Sequence, residues 1–309
     1  MAALASSSRP ELSQSSQSVL LLQLVINGLQ LGAIYALTAV GFSLIFGATK
    51  IFHVAHGAAF TIAAYLFWWS EAVLHLPWPL AALVAVLAAV LFGLFMERFI
   101  YRPIQRHEAA FFTVFIAAFG VQIIVQNLIG TVFGRGFVSV TTPLSRSLEV
   151  LPGLFVAPVA AISIAVAMAF FAVLTLFLSR THTGMAMRAL SENRDLIRVF
   201  GLDPARLAQY VFAIGSAIVV PGAILAAMTE GLNPSVGAHV MLISLAATIV
   251  GGIGSLRGAA CGGLLLGLAE NLALWRLDPQ WSEAVTFVVL FLFIIFRPAG
   301  FFGRPVGAK

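Results

Sequence analysis

Asn27, Gln30 and Tyr35 stand inside one apolar run of the chain, and Gln122, Gln126 and Asn127 inside another. At i, i+3 the first two amides share a helix face, as Gln122 and Gln126 do at i, i+4. Neutral amides both donate and accept hydrogen bonds, so they can hold a carboxylate or an ammonium without the cost of burying a charge. The chemistry this predicts is recognition of a small polar or zwitterionic solute, with no bond made or broken. Glu230 and Glu270 are the acidic residues nearest to the ends of apolar runs. They either attract an ammonium group or face water at the rim. The amides also have a second use, hydrogen bonding between neighbouring helices, which is common in membrane bundles.

Reactive chemistry is poorly supported. His53 and His56, in KIFHVAHGAAF, are spaced to share a helix face, but a metal centre needs three or four ligands and no further His or Cys is placed to help. They read as a structural turn or gate, and His56 joins the amides as a candidate on the solute path. The single cysteine, Cys261, lies in a glycine-rich apolar setting, which excludes an internal disulfide and a cysteine-based metal site. No Ser, His and Asp pattern suggests a hydrolase, so no catalytic residue and no cofactor is assigned. A phosphate loop is missing too: the nearest stretch, Gly47-Ala-Thr-Lys50, lacks the glycine that must precede the lysine. If transport is active, its energy comes from an ion gradient or from a separate ATPase.

The elements that must position these residues are membrane helices. The chain is 61% hydrophobic and only 9% charged, with a mean hydropathy of +1.02. Globular proteins are about half apolar and a quarter charged. The net charge of +5 does not point to nucleic acid, because the Lys and Arg residues fall between apolar runs, where retention on the cytoplasmic side explains them. Residues 1–18 are rich in Ser and Gln with no apolar core, and are expected to form a disordered tail ahead of a membrane domain over 19–309. The expected fold is all-α and polytopic, with about 8–9 transmembrane helices near 19–46, 56–74, 79–101, 110–130, 154–178, 207–228, 239–252, 258–274 and 281–297. Arg98, Arg102 and Arg106, the arginines of 180–206, and Arg297, Arg304 and Lys309 belong in the cytoplasm. Counting back puts the N-terminus and the loop 131–152 outside and Lys50 inside.

Within loop 179–206, the stretch TGMAMRALSENRDLIRVFGLDPAR is a polar island in this oily background. Met185, Met187, Leu190, Ile197 and Phe200 recur at helical spacing, which predicts a short amphipathic helix on the cytoplasmic side. An ordered helix there is suited to receive a partner; lying on lipid headgroups is the alternative. The segments 239–252 and 258–274 are short and flank GGIGSLRG, so they either cross fully or form a re-entrant pair. Gly251, Gly252, Gly254, Ser255 and Gly258 mark the break, and backbone unwound at membrane depth is tolerated only in protein or beside a wet cavity. Gly28-Leu-Gln-Leu-Gly32 is echoed by Gly263-Leu-Leu-Leu-Gly267, on helices expected to run in opposite directions, as in inverted repeats.

Four motifs in order, NGLQLGAIYALTAVGFSLIFG, FHVAHG with AAY after it, the island from Arg188 to Gly201, and GGIGSLRGAACGGLLLGLAEN, resemble the LivH-type permeases of branched-chain amino acid (HAAT) ABC importers. The likeness spans about 19–297. It implies an inner-membrane permease subunit that is not itself an enzyme and forms half of a translocation path. Its implied partners are a second, LivM-like permease, two ATP-binding subunits that bind the ATP, and a periplasmic solute-binding protein. By the same resemblance Arg188, Ala189, Glu192, Asn193, Asp195 and Gly201 fall on the loop that engages the ATPase. Relatives often read N-F-A-H-G where this chain has His53-Val54-Ala55-His56-Gly57, and place a polar or acidic residue where Ala58 stands. The family layout serves branched-chain amino acids, urea, short amides and aromatic acids. A stand-alone gradient-driven carrier or channel, and a purely structural membrane scaffold, are the rival classes.

Overall fold

The computed structural model describes residues 14–106 and 111–303. Its long helices are α1 (Gln14–Thr49), α2 (His56–Trp68), α3 (Trp78–Phe95), α5 (Phe111–Val132), α6 (Pro158–Arg180), α9 (Pro204–Thr229), α10 (Val236–Gly251), α11 (Leu256–Ala273) and α12 (Ser282–Phe296). Shorter helices are α4 (Arg102–Arg106), α7 (His182–Glu192) and α8 (Arg194–Val199). Among the described residues six helices are long and apolar enough to cross a membrane, and α10 with α11 makes a further, bent pair. The apolar runs read from sequence thus recur as helices. Helix α2 is not among these six, and it continues into a π-helical turn at Trp69–Val73. Helix α1 begins at Gln14, inside the stretch expected to be tail; residues 1–13 lie outside the described residues.

Prolines and caps fix where several helices start. Pro77, Pro158 and Pro204 sit at or beside first turns, where a missing N–H costs nothing. Asp203 caps α9 by accepting from Ala205 N at 2.9 Å, and Thr181 caps α7 by accepting from Gly184 N at 3.0 Å. The helices sort into an inner and an outer set. The most apolar stretches of α1 and α9 are 83% and 78% buried, against 22–28% for α3, α5 and α6 and 6% for α12. Helix α2 is enclosed along most of its length. The outer set presents Leu83, Leu87, Leu91, Ile116, Phe119, Ile124, Val173 and Phe291, the surface a lipid-facing helix requires.

The echo between the two glycine motifs is a packing seam. Helix α11 runs antiparallel along α1, with Gly28 facing Gly267 and Leu268, and Gly32 facing Gly263 and Leu264. A Cβ on Gly32 would come within 2.9 Å of Leu264 Cα, and one on Gly28 within 3.0 Å of Leu268 Cα. Helices approach this closely only through small residues. Between α10 and α11 the chain bends by 120°. Gly252 and Gly254 take φ of 106° and 84°, values that favour glycine, and Ser255 caps α11 by accepting from Gly258 N at 3.1 Å. Gly251 and Gly258 face each other across the bend. The break lies beside Gly47, at the Lys50 end of α1, and the C-terminal segment reaches it through Phe301 N donating to Val250 O and Phe302 N to Gly251 O. The far end of α11, at Asn271, lies beside Gly28.

The loop after α5 contains one element that helical periodicity does not foretell, a hairpin of β1 (Leu148–Leu151) and β2 (Leu154–Val156). It sits against the first turns of α1, where Phe155 N donates to Gln23 Oε1 at 3.0 Å. The same loop returns to the bundle, because Val138 pairs with Leu232 and Val140 N donates to Ala227 O.

A polar cavity at one end and an amphipathic helix at the other

At the end of the bundle opposite Lys50, Asn27, Gln30, Thr229, Glu230, Glu270, Asn271 and Ser282 line a cavity of about 390 Å³. A second cavity of about 360 Å³ shares Leu31, Glu230 and Glu270 with it and adds Tyr35, Asn233, Ser235, His239 and Glu283. Neither lining holds a Lys or an Arg. The path candidates Asn27, Gln30, Tyr35 and Glu270 are therefore brought together by two helices, α1 and α11, that the glycine seam presses into contact. Glu270 is 7% exposed and accepts a hydrogen bond from the Tyr35 hydroxyl at 3.1 Å. Gln23 Nε2 donates to Asn27 Oδ1 at 3.1 Å, linking the cavity wall to the hairpin. Glu230, just past the end of α9, has its carboxyl raised above the usual range by desolvation. His239 Nδ1 lies 3.4 Å from Glu283 Oε1, a pair exposed enough to add little stability.

The remaining path candidates lie elsewhere. His56 is fully buried near the opposite end, its ring 5.6 Å from that of His53, and does not line either cavity. The reason is steric: α2 starts deep in the bundle, where His56 fills the space left by Gly41 of α1. Gln122 is buried on α5 with neither amide atom hydrogen-bonded among the described residues. Asn127 is exposed, donates to its own helix at Ile123 O (2.9 Å) and lies 3.4 Å from Arg135 Nη2. Gln126 shares that helix, and α5 contributes nothing to the cavities around Glu270. Periodicity placed these amides on a common face but could not say which neighbour that face meets. Sequence reading missed Asn271, Asn233, His239 and Glu283; only Asn271, next to Glu270 within the quoted glycine-rich motif, carried a local signal.

At the positive end, the island folds as two helices. Asn193, in an extended conformation, separates α7 from α8. Met187, Leu190 and Ile197 are buried as the spacing predicts, but Met185 is 45% and Phe200 73% exposed. Met185 projects from the first half of α7 and Phe200 follows the end of α8, so neither joins the buried face. Helix α7 packs on α6, α1 and α9 and leaves Arg188, Ala189, Glu192 and Asn193 exposed. The side chain of Asp195 lies outside the described residues. Gly201, with φ of 75°, turns the chain into α9. A cavity of about 370 Å³ lies beside the C-terminal end of α7, lined by Lys50, Glu97, Tyr101, Arg102, Ser191 and Glu192 among others.

A helical bundle with a polar cavity at one end and a docked amphipathic helix at the other is the architecture of a membrane permease. The chain belongs to the family described as branched-chain amino acid transport system / permease component, whose model matches residues 24–294. It is 32% identical to the high-affinity branched-chain amino acid transport system permease protein BraD of Pseudomonas aeruginosa, over 92% of this chain and 96% of that one. It is 30% identical to the corresponding LivH proteins of Salmonella typhimurium and Escherichia coli K12, each over 94% of this chain and 98% of theirs. The solved structure of PsaBC from Streptococcus pneumoniae in complex with Fab aligns with a TM-score of 0.45 and 15% identity, over 92% of both chains. The chain is thus a multi-pass inner-membrane permease subunit of an ABC importer, a class that works with ATPase and solute-binding components.

Proposed function

We propose that the chain forms half of a translocation path for a branched-chain amino acid or a related small polar solute. A LivM-like permease supplies the other half, and two separate subunits bind and hydrolyse ATP. The observation that carries this reading is the convergence of Asn27, Gln30, Tyr35 and Glu270 on two adjoining cavities that share Glu230 and Glu270. A solute released there by a periplasmic binding protein meets amides for its carboxylate and carboxylates for its ammonium. At the inner end the exposed residues of α7, with Gly201 and Asp195 beyond it, receive the ATPase. ATP binding and hydrolysis rock the bundle through this contact, so that the outer cavity closes as the inner side opens.

The test is uptake into liposomes holding the chain with its partner permease and ATPases, with the binding protein added outside. Branched-chain amino acids should accumulate only with ATP inside. Solute flux through the chain alone, without ATP, would instead identify a gradient-driven carrier or channel. Uptake of aromatic acids or urea in preference to amino acids would overturn the solute assignment and leave the permease reading intact.

A further inference from the structure

Beside the cavity at the end of α7, the core holds a buried hydrogen bond that the proposed function does not use. His53 Nδ1 and the Tyr101 hydroxyl are 2.6 Å apart, and both side chains are fully buried. Tyr101 ends the π-helical turn Met96–Tyr101, and π-helical turns in α-helices recur at functional positions. On its outer side Tyr101 lines the 370 Å³ cavity whose opposite wall is Leu190, Ser191 and Glu192 of α7. On its inner side the ring packs on Phe212 of α9, with centroids 5.5 Å apart. His53 also packs edge-on against Phe212, at 5.1 Å, and against His56, at 5.6 Å. His56 opens α2 and nests on Gly41 of α1, and the next residue, Gly57, faces Gly237 of α10. The start of α2 thus touches α1, α9 and α10 together. His53 Nε2 is buried with no hydrogen-bond partner among the described residues, so the ring is fixed by Tyr101 and by packing alone. A buried polar atom left in this way disfavours the arrangement and makes it responsive to small shifts nearby.

We infer that Tyr101 is a positioning residue for coupled transport: its bond to His53 ties movement of the coupling helix to the start of α2, and through it to the core helices α1, α9 and α10. The cavity gives α7 room to move against Tyr101, and the bond carries that displacement inward. This rests on the proposed role of α7 as the ATPase contact.

Tyr101→Phe keeps the ring packing on Phe212 and removes only the hydroxyl. In the liposome system above, the solute moved per ATP hydrolysed should fall about three- to tenfold, the size expected for one neutral hydrogen bond. Complex assembly and basal ATP hydrolysis should stay within about twofold of the unaltered protein. His53→Asn, whose amide stands where Nδ1 does and can still bond the hydroxyl, should retain much of the coupling beside Tyr101, and its effect should not add in full to that of Tyr101→Phe in the double variant. An unchanged ratio in Tyr101→Phe, or a loss of assembly with the ratio of the surviving complex intact, would overturn the inference. If the unaltered complex itself shows no ATP-driven uptake, the fault lies with the proposed function and not with Tyr101.

Discussion

Glu270 is the residue on which the outer cavity turns. It lies on a helix pressed against α1, it is nearly enclosed, and Tyr35 fixes one of its oxygens. Replacing it by Gln keeps the shape and removes the charge that would meet an ammonium. Uptake should fall roughly 10- to 100-fold, since hydrogen bonds to charged groups contribute about 1.5–3 kcal/mol. Asn127 provides the contrast. It is exposed on α5 and satisfied by its own helix, so Asn127→Leu should leave uptake within about twofold. Initial rates of labelled amino acid uptake measure both, and a strong effect at Asn127 with none at Glu270 would move the path to α5. The sequence singled out Asn127 as an amide within an apolar run and Glu270 as an acidic residue near the end of one. It could not separate them, because a helix's own periodicity does not name the helix it meets.

At the scale of elements, the coupling region and the glycine seam make separate predictions. Gly201 turns the chain at φ of 75°, which the proline ring forbids, and Gly201→Pro should displace the turn between α8 and α9. Arg188→Glu reverses an exposed charge on α7 and leaves the buried face of Met187 and Leu190 alone. Both variants should reach the membrane in normal amount and lose solute-stimulated ATP hydrolysis; full stimulation in both would remove α7 as the contact. In the seam, Gly32→Leu places a branched side chain where even a Cβ meets backbone of α11. The cost should be at least the 1–3 kcal/mol typical of overpacking, seen as a lower thermal midpoint of the purified protein. Helix α7 was legible because its apolar positions recur at helical spacing. The division into α7 and α8 was not, since Asn193 interrupts the helix only through its backbone angles.

For the whole molecule the arrangement predicts sidedness. Loop 133–157 and the polar cavity share the outer end, while Lys50, α7 and the break at Gly252–Ser255 share the inner one. With Cys261 replaced by Ala, a cysteine at Ser147 should react with a membrane-impermeant maleimide in intact cells. Cysteines at Ser191 or Gly254 should react only after the membrane is opened. Labelling of Gly254→Cys from outside would place the break at the outer face and reverse the direction assigned to α10 and α11.

The sequence by itself determined the apolar runs that recur as helices and the amphipathic character of the island, because hydropathy and helical periodicity are properties of consecutive residues. It also supplied the two glycine motifs, and with them the expectation of antiparallel helices. Only the tertiary structure decided that these motifs interlock with each other, that Glu270 thereby meets Tyr35 and shares a cavity with Asn27, and that His56 lies with His53 and Tyr101 near the other end. Those outcomes depend on which helix faces pack together. Packing is set by complementary shape between segments more than 200 residues apart in the case of Tyr35 and Glu270, which no local pattern encodes.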